Sequence, residues 1–298
     1  MFLKTVVWAD KSLAASTSYQ EDLPSLPMSH LLFTLKFLNV TNEGTLAELV
    51  ERITDISVKD KGVSIFQMNG ADLWAFNCIH LCRPPIMINR VATDNATRAI
   101  TFIIPFGRKL YNPAECYPER PAGDVKFYLT TSATETAVDG LIAQLECVSL
   151  VGASPANYLK VYTKTYTPAA TGLNSVDLER GNLIAGLMLF STTVPTGTAW
   201  TTSLDEATLL GDNQELVVSD TYWETLHGSL LERVGYIGDF TAAFGDDLVH
   251  KYALIDFMQG VADENLLPTD ALKSFKLRFV AGDTNLIRII PLEVVAVG

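Results

Sequence analysis

The feature that most constrains this chain is that it reads as though it finishes twice. LIAQLECVSLVG, Leu141 to Gly152, is an apolar strand that stops at a glycine, and ASPAN, Ala153 to Asn157, follows it like a linker. The chain then continues and ends in a second apolar strand, LIRIIPLEVVAVG, Leu286 to Gly298. The segments before these two endings share an order of elements. In each, a hairpin leads into a capped helix with a tryptophan, Trp74 in the first and Trp223 in the second. An apolar strand, a proline-bearing loop, a strand of alternating Phe and Lys and the apolar terminal strand follow. VKFYL (Val125 to Leu129) stands opposite FKLRF (Phe275 to Phe279), and FIIPF (Phe102 to Phe106) opposite LIDFM (Leu254 to Met258). A repeat of roughly half the chain implies duplicated domains, since solenoid periods run to only about 20 to 50 residues.

Between turn residues most of the sequence reads as strands. SHLLFTLKFLNV, Ser29 to Val40, sets Leu31, Phe33 and Leu35 against Leu32, Thr34 and Lys36. TLAELVERI, Thr45 to Ile53, has helical spacing at Leu46, Leu49, Val50 and Ile53. Lys61-Gly62, between DISVKD and VSIFQM, signals a tight hairpin. Asn69 is placed to cap a helix through ADLWAFNCIHLC, which Pro84-Pro85 stops. In the second half, ATLLGDNQELVV turns at Gly211-Asp212-Asn213, and Ser219 is placed to cap a helix through DTYWETLHGSLLERV.

These patterns predict an all-β chain of two tandem jelly-roll β-sandwiches with short inserted helices. A parallel α/β sheet would need a helix after nearly every strand. The expected division is an N-terminal arm over 1–28, a first jelly roll over 29–152, a linker over 153–157 and a second jelly roll over 158–298. The helix after each hairpin is expected to cover a sheet edge or the gap between domains. Trp74 and Trp223 then serve packing, with stacking on a ligand as the other reading.

The 298 residues are 48% hydrophobic and 19% charged, enough for a substantial core. A net charge of −12 repels phosphate backbones and anionic lipid, which argues against direct genome packaging. The start, MFLKTVVWADKSLAAS, has an apolar run too short for a signal peptide and reads as a mature cytoplasmic product. Asn39 and Asn95 match the glycosylation acceptor pattern, which carries no weight without a secretory signal.

Signals of chemistry are sparse. Cys78, Cys82, Cys116 and Cys147 make no disulfide framework, and Cys78 and Cys82 read as two buried thiols rather than half of a metal site with His80. A two-domain cupin enzyme would need a His-x-His pair, and His30, His80, His227 and His250 provide none. Asp246-Asp247, Asp256 and Asp263-Glu264 cluster in one region, where a glycan hydrolase would need an acid and a base across a cleft. Asp246-Asp247 after Gly245 reads instead as a solvated turn, and Asp263-Glu264 as similar. No nucleophile elbow, P-loop or dinucleotide fingerprint is present. Catalytic, cofactor-binding and metal residues are each expected to be none, and the chain is expected not to be an enzyme.

On its repeated blocks, VSIFQMNGADLW with ELVVSDTYWETL, and on its two chain-ending strands, the chain resembles the double jelly-roll major capsid proteins. These belong to the lineage of PRD1 and adenovirus and build membrane-containing icosahedral viruses of bacteria and archaea. The resemblance spans roughly Ser29 to Gly298. It implies a homotrimeric, pseudo-hexagonal capsomer of an icosahedral virion, assembled in the host cytoplasm beside neighbouring capsomers and other capsid proteins. It further implies no direct nucleic-acid contact, and contact with an internal membrane through the N-terminal arm. Some relatives carry a C-terminal anchoring or basic tail, whereas this sequence ends within its last strand. The other reading kept open is a carbohydrate-binding or carbohydrate-hydrolysing protein on a paired jelly-roll scaffold.

Overall fold

The structure is a computed structural model that describes all residues except 41–43, 90–92, 134–136, 196–197, 235–245 and 259–262. The chain divides into two units, one centred on Met1–Tyr162 and the other on Thr163–Tyr236 with Val249–Val295.

The first unit holds β1 (Phe2–Ser12), β2 (Ser18–Asp22), β3 (Met28–Asn39), α1 (Leu46–Val50), β4 (Ile53–Asp60) and β5 (Val63–Met68). After these come α2 (Gly70–His80), β6 (Ile86–Ile88), β7 (Thr97–Pro105), β8 (Val125–Thr131), β9 (Val138–Leu150) and β10 (Asn157–Tyr162). One sheet runs β1-β9-β3-β7-β6 and the other β10-β5-β4-β8-β2. The chain thus crosses between sheets at most connections, which is the winding of a jelly roll. Alternation drives this arrangement. Leu31, Phe33, Leu35 and Phe37 of β3 are buried, as are Val125, Phe127 and Leu129 of β8. Phe33 meets Phe127 across the sandwich with ring centroids 5.9 Å apart, and Trp8 of β1 meets Phe127 edge-on at 5.1 Å.

The second unit holds β11 (Lys164–Tyr166), β12 (Gly172–Asp177), β13 (Leu183–Ser191), β14 (Glu206–Gly211), β15 (Gln214–Glu215) and β16 (Thr221–Tyr222). It continues with α3 (Trp223–Gly228), α4 (Leu230–Val234), β17 (Tyr252–Asp256), β18 (Leu267–Pro268), β19 (Phe275–Ala281) and β20 (Ile287–Ala296). In one sheet β20 lies between β11 and β13, and β13 pairs on with β17. The other runs β12-β19-β14-β15. The duplication is therefore a duplication of pairing: β1-β9-β3-β7 recurs as β11-β20-β13-β17, and β2-β8-β4-β5 recurs as β12-β19-β14-β15. Even the hairpin turns match. Lys61 and Gly62 have φ of 49° and 86°, and Asp212 and Asn213 have 52° and 64°, the left-handed pair that suits a two-residue hairpin. An aromatic again bridges the same strands, with Tyr166 of β11 edge-on to Phe279 of β19 at 5.7 Å.

Several elements differ from their expectation. Residues 1–28, expected as an arm, supply β1 and β2, which pair with β9 and β8 and give the first unit its full set of strands. Ala153 to Asn157, expected as a linker, is tied into the first unit, where Ala156 N donates to Ala114 O at 3.0 Å and Cys116 N donates to Asn157 O at 3.1 Å. The helix from Thr45 ends at Val50, and Ile53 opens β4 opposite Thr131. Ser219 does not cap α3. Its hydroxyl donates to the Glu215 carboxylate, and Thr221 and Tyr222 first pair with Ala207 and Glu206, so the helix begins only at Trp223.

Candidate functional site

The helix after each hairpin, α2 in the first unit and α3 in the second, is fastened to a strand of its own unit by one side chain. Asn69 starts α2 as expected, its Oδ1 accepting from Asp72 N at 2.8 Å. One turn past Trp74, Asn77 is 1% exposed. Its Oδ1 accepts from Ile103 N at 2.7 Å, and its Nδ2 donates to Ile103 O at 2.9 Å and to Leu73 O at 3.0 Å. Strand β6 pairs with β7 only at Ala99, Ile100 and Thr101. Beyond it the backbone of β7 would be bare, and the Asn77 amide takes the place of a neighbouring strand. In the second unit His227 stands one turn past Trp223 on α3, and its Nδ1 is 2.6 Å from the carbonyl oxygen of Tyr252, which opens β17. Both helices cover a strand edge, as the sequence suggested, and Trp74 and Trp223 are buried packing residues.

The remaining candidates fall into place around these sandwiches. His30 is buried against Ser29 Oγ at 3.0 Å and lies edge-on to Tyr111. Burial, and then the charge of Lys4, push its pKa down to about 4. His80 is buried and stacks flat on Phe76 at 4.9 Å. Cys78, Cys116 and Cys147 are buried, and burial raises the Cys116 and Cys147 thiols to about 11. Cys82 corrects the expectation of two buried thiols. Because α2 ends at His80, Cys82 lies past the helix with φ of 57° and is exposed.

Among the described residues, the candidate carboxylates form no acid and base pair. Asp256 is held in a mostly buried ion pair, its Oδ2 3.0 Å from Arg233 Nε, and its Oδ1 accepts from Met258 N at 2.8 Å. Asp263 and Glu264 are exposed on a short helical turn, and the side chains of Asp246 and Asp247 lie outside the described residues. Among the described residues no group of three His, Cys, Asp or Glu is placed to hold a metal.

What the surface offers is contact area. The proline-rich loop after β7 is fixed rather than loose. Arg108 grips Glu115 with both Nε and Nη2, the latter at 2.7 Å, while Tyr117 Oη and Arg120 Nε both donate to Asp60 Oδ2, at 2.6 and 2.9 Å. Burial and the Asp60 contact hold the Tyr117 phenol well above its usual range. Ion pairs run across the outward face of the first sheet, from Lys4 to Glu146 and from Lys36 to Asp10 at 2.6 Å. A groove of about 360 Å³ lies beside them between Leu38, Ile88 and Ile142. In the second unit an outward row crosses four strands. Leu173 stands opposite Val280, Val280 opposite Glu206, and Glu206 opposite Tyr222. Leu173 is 72% exposed and Tyr222 56%. Neither the row nor the groove is visible as a local motif, because each is assembled from residues far apart in sequence.

No family model matches the chain, and no curated protein matches it. Solved structures do. The chain is similar to the STIV MCP with a TM-score of 0.71 at 11% identity, over 99% of this chain and 97% of that one. It is similar to the major capsid protein from Bacteriophage PM2 with a TM-score of 0.65 at 13% identity, over 100% of this chain and 98% of that one. For the PBCV-1 virus capsid the TM-score is 0.63 at 10% identity, over 99% and 93%. Two jelly rolls with repeated strand order, matched from end to end, give the chain the double jelly-roll fold of viral major capsid proteins.

Proposed function

We propose that this chain is a major capsid protein, the structural subunit of an icosahedral virion shell, assembled as a homotrimer into a pseudo-hexagonal capsomer. The observation that carries the reading is the end-to-end match of both jelly rolls, over 99% of this chain and 97% of the STIV MCP. Three chains of two jelly rolls present six similar wedges, a shape that tiles a surface through closed symmetry. Each jelly roll is then a domain, with the passage between them following Tyr162 at the end of β10. Copies of the chain, neighbouring capsomers and other capsid proteins are its partners, in a virion assembled in the host cytoplasm.

The net charge of −12 supports a shell that does not touch nucleic acid. Contact with an internal membrane would fall to the exposed side chains of Met1, Phe2 and Leu3 at the start of β1. The role is structural rather than enzymatic. Sedimentation of the purified chain, followed by electron microscopy of any particles, tests the reading. A trimer that forms hexagonally packed arrays or closed shells is expected, while a monomer with glycan affinity or glycan hydrolysis would overturn it.

A further inference from the structure

We propose that His227 and His250 form a transition-metal site in the second unit, taking an ion of the nickel or zinc class on two facing ring nitrogens. His227 comes from α3 and His250 from the short helical turn Asp246–Lys251 that leads into β17. His250 Nδ1 lies 3.5 Å from His227 Nε2. Two imidazole nitrogens at about 2.0–2.1 Å from a tetrahedral ion stand about 3.3–3.4 Å apart. The spacing therefore matches that of two imidazoles sharing one ion.

The orientation of His227 is also set. The Tyr252 carbonyl, 2.6 Å from Nδ1, can only accept, so Nδ1 carries the proton and Nε2 turns its lone pair toward His250. A backbone carbonyl behind the ligating ring is the usual support of a metal-bound histidine. Trp223 fixes the ring further, lying parallel to it within 10° at 6.4 Å. Without an ion, His250 Nδ1–H donates to the His227 lone pair. With one, Nδ1 of His250 gives up that hydrogen bond and becomes the second ligand, both rings binding in their neutral form.

His250 is exposed, which gives an ion and its waters access. Two imidazole ligands among the described residues select metals that favour that donor. The bound ion would clamp α3 to the entry of β17. In the first unit the side chain that fastens the helix to its strand is Asn77, which has no ring nitrogen to offer.

Titration of Ni2+ into the purified full chain, read by calorimetry and by tryptophan fluorescence, tests the proposal. One ion per chain is expected, with quenching from Trp223 because nickel sits on the ring stacked against it. His250→Ala changes an exposed side chain and should fold normally, bind at least tenfold more weakly and lose the quenching. Trp223→Phe should keep the calorimetric binding and lose the quenching. Unchanged nickel affinity in His250→Ala, or binding with no change in fluorescence in the unsubstituted chain, would overturn the site.

Discussion

Asn77 and Ile103 are paired as two strands would be: the side-chain amide of one exchanges two hydrogen bonds with the backbone of the other, at 2.7 and 2.9 Å. The helix α2 thereby ends a sheet that β6 leaves half covered. Asn77→Ala strips partners from a backbone N–H and C=O that the helix still shields from water. Each such group costs about 1–3 kcal/mol, so a loss of roughly 2–6 kcal/mol is expected. Asn77→Asp should fare no better, since a carboxylate accepts from Ile103 N but repels Ile103 O. Urea midpoints of both variants against the unsubstituted chain measure this, and a change near zero would mean that α2 does not hold the edge.

Local pattern made some of this fold legible and left the rest dark for identifiable reasons. The alternation of Leu31, Phe33 and Leu35 specified which face of β3 is buried, and Lys61-Gly62 and Asn69 specified a turn and a cap, because each is decided by neighbours in sequence. The strand β1 was hidden by its own irregularity. Its register against β9 shifts between Val6 and Trp8 and again between Trp8 and Lys11, so TVVWADKS shows no period of two. Ser219 misled because a cap signal is conditional: Glu215 takes the hydroxyl and β14 takes the next two backbones. The roles of Asn77 and His227 depend on strands that lie 26 and 25 residues on, which no local window relates to them.

His30 makes the fold sensitive to acid. Its pKa falls to about 4 on folding, from an unfolded value near 6.5, because burial and Lys4 disfavour the imidazolium. The unfolded chain therefore binds the extra proton across this window. The stability associated with the neutral ring is fully present above about pH 6.5 and is lost as pH falls through about 4, a change of roughly 3 kcal/mol. Thermal melts between pH 7 and pH 4 should show this slope, and His30→Gln should flatten it. A profile unchanged by the substitution would place the acid sensitivity elsewhere.

One thiol should react in the folded chain. Cys82 is exposed, whereas Cys78, Cys116 and Cys147 are buried, and burial holds the last two at about 11, away from the reactive thiolate. Ellman's reagent is expected to titrate a single group in native protein and all four cysteines of the sequence after denaturation. Cys82→Ser should abolish the native reaction without altering stability. A second fast native thiol would show that one of the sandwiches opens readily.

On the proposed capsid role, assembly should depend on the row from Leu173 to Tyr222 more than folding does. Side chains directly opposite on paired strands share one face, so Leu173, Val280 and Tyr222 form a single apolar band around Glu206. Leu173 is 72% exposed and Tyr222 56%, so neither contributes much to the core of its own unit. Covering a leucine or tyrosine side chain at a contact is worth about 1.5–3 kcal/mol, and a shell repeats each contact in every subunit. Leu173→Asp combined with Tyr222→Ser should therefore change the unfolding free energy by no more than about 0.5 kcal/mol per site. The same variant should shift sedimentation from particles toward free capsomers, since each contact would then bury a carboxylate in place of a leucine. Particles that form as efficiently as those of the unsubstituted chain would leave this face on the outside of the shell, and the groove between Leu38, Ile88 and Ile142 would be the next surface to substitute.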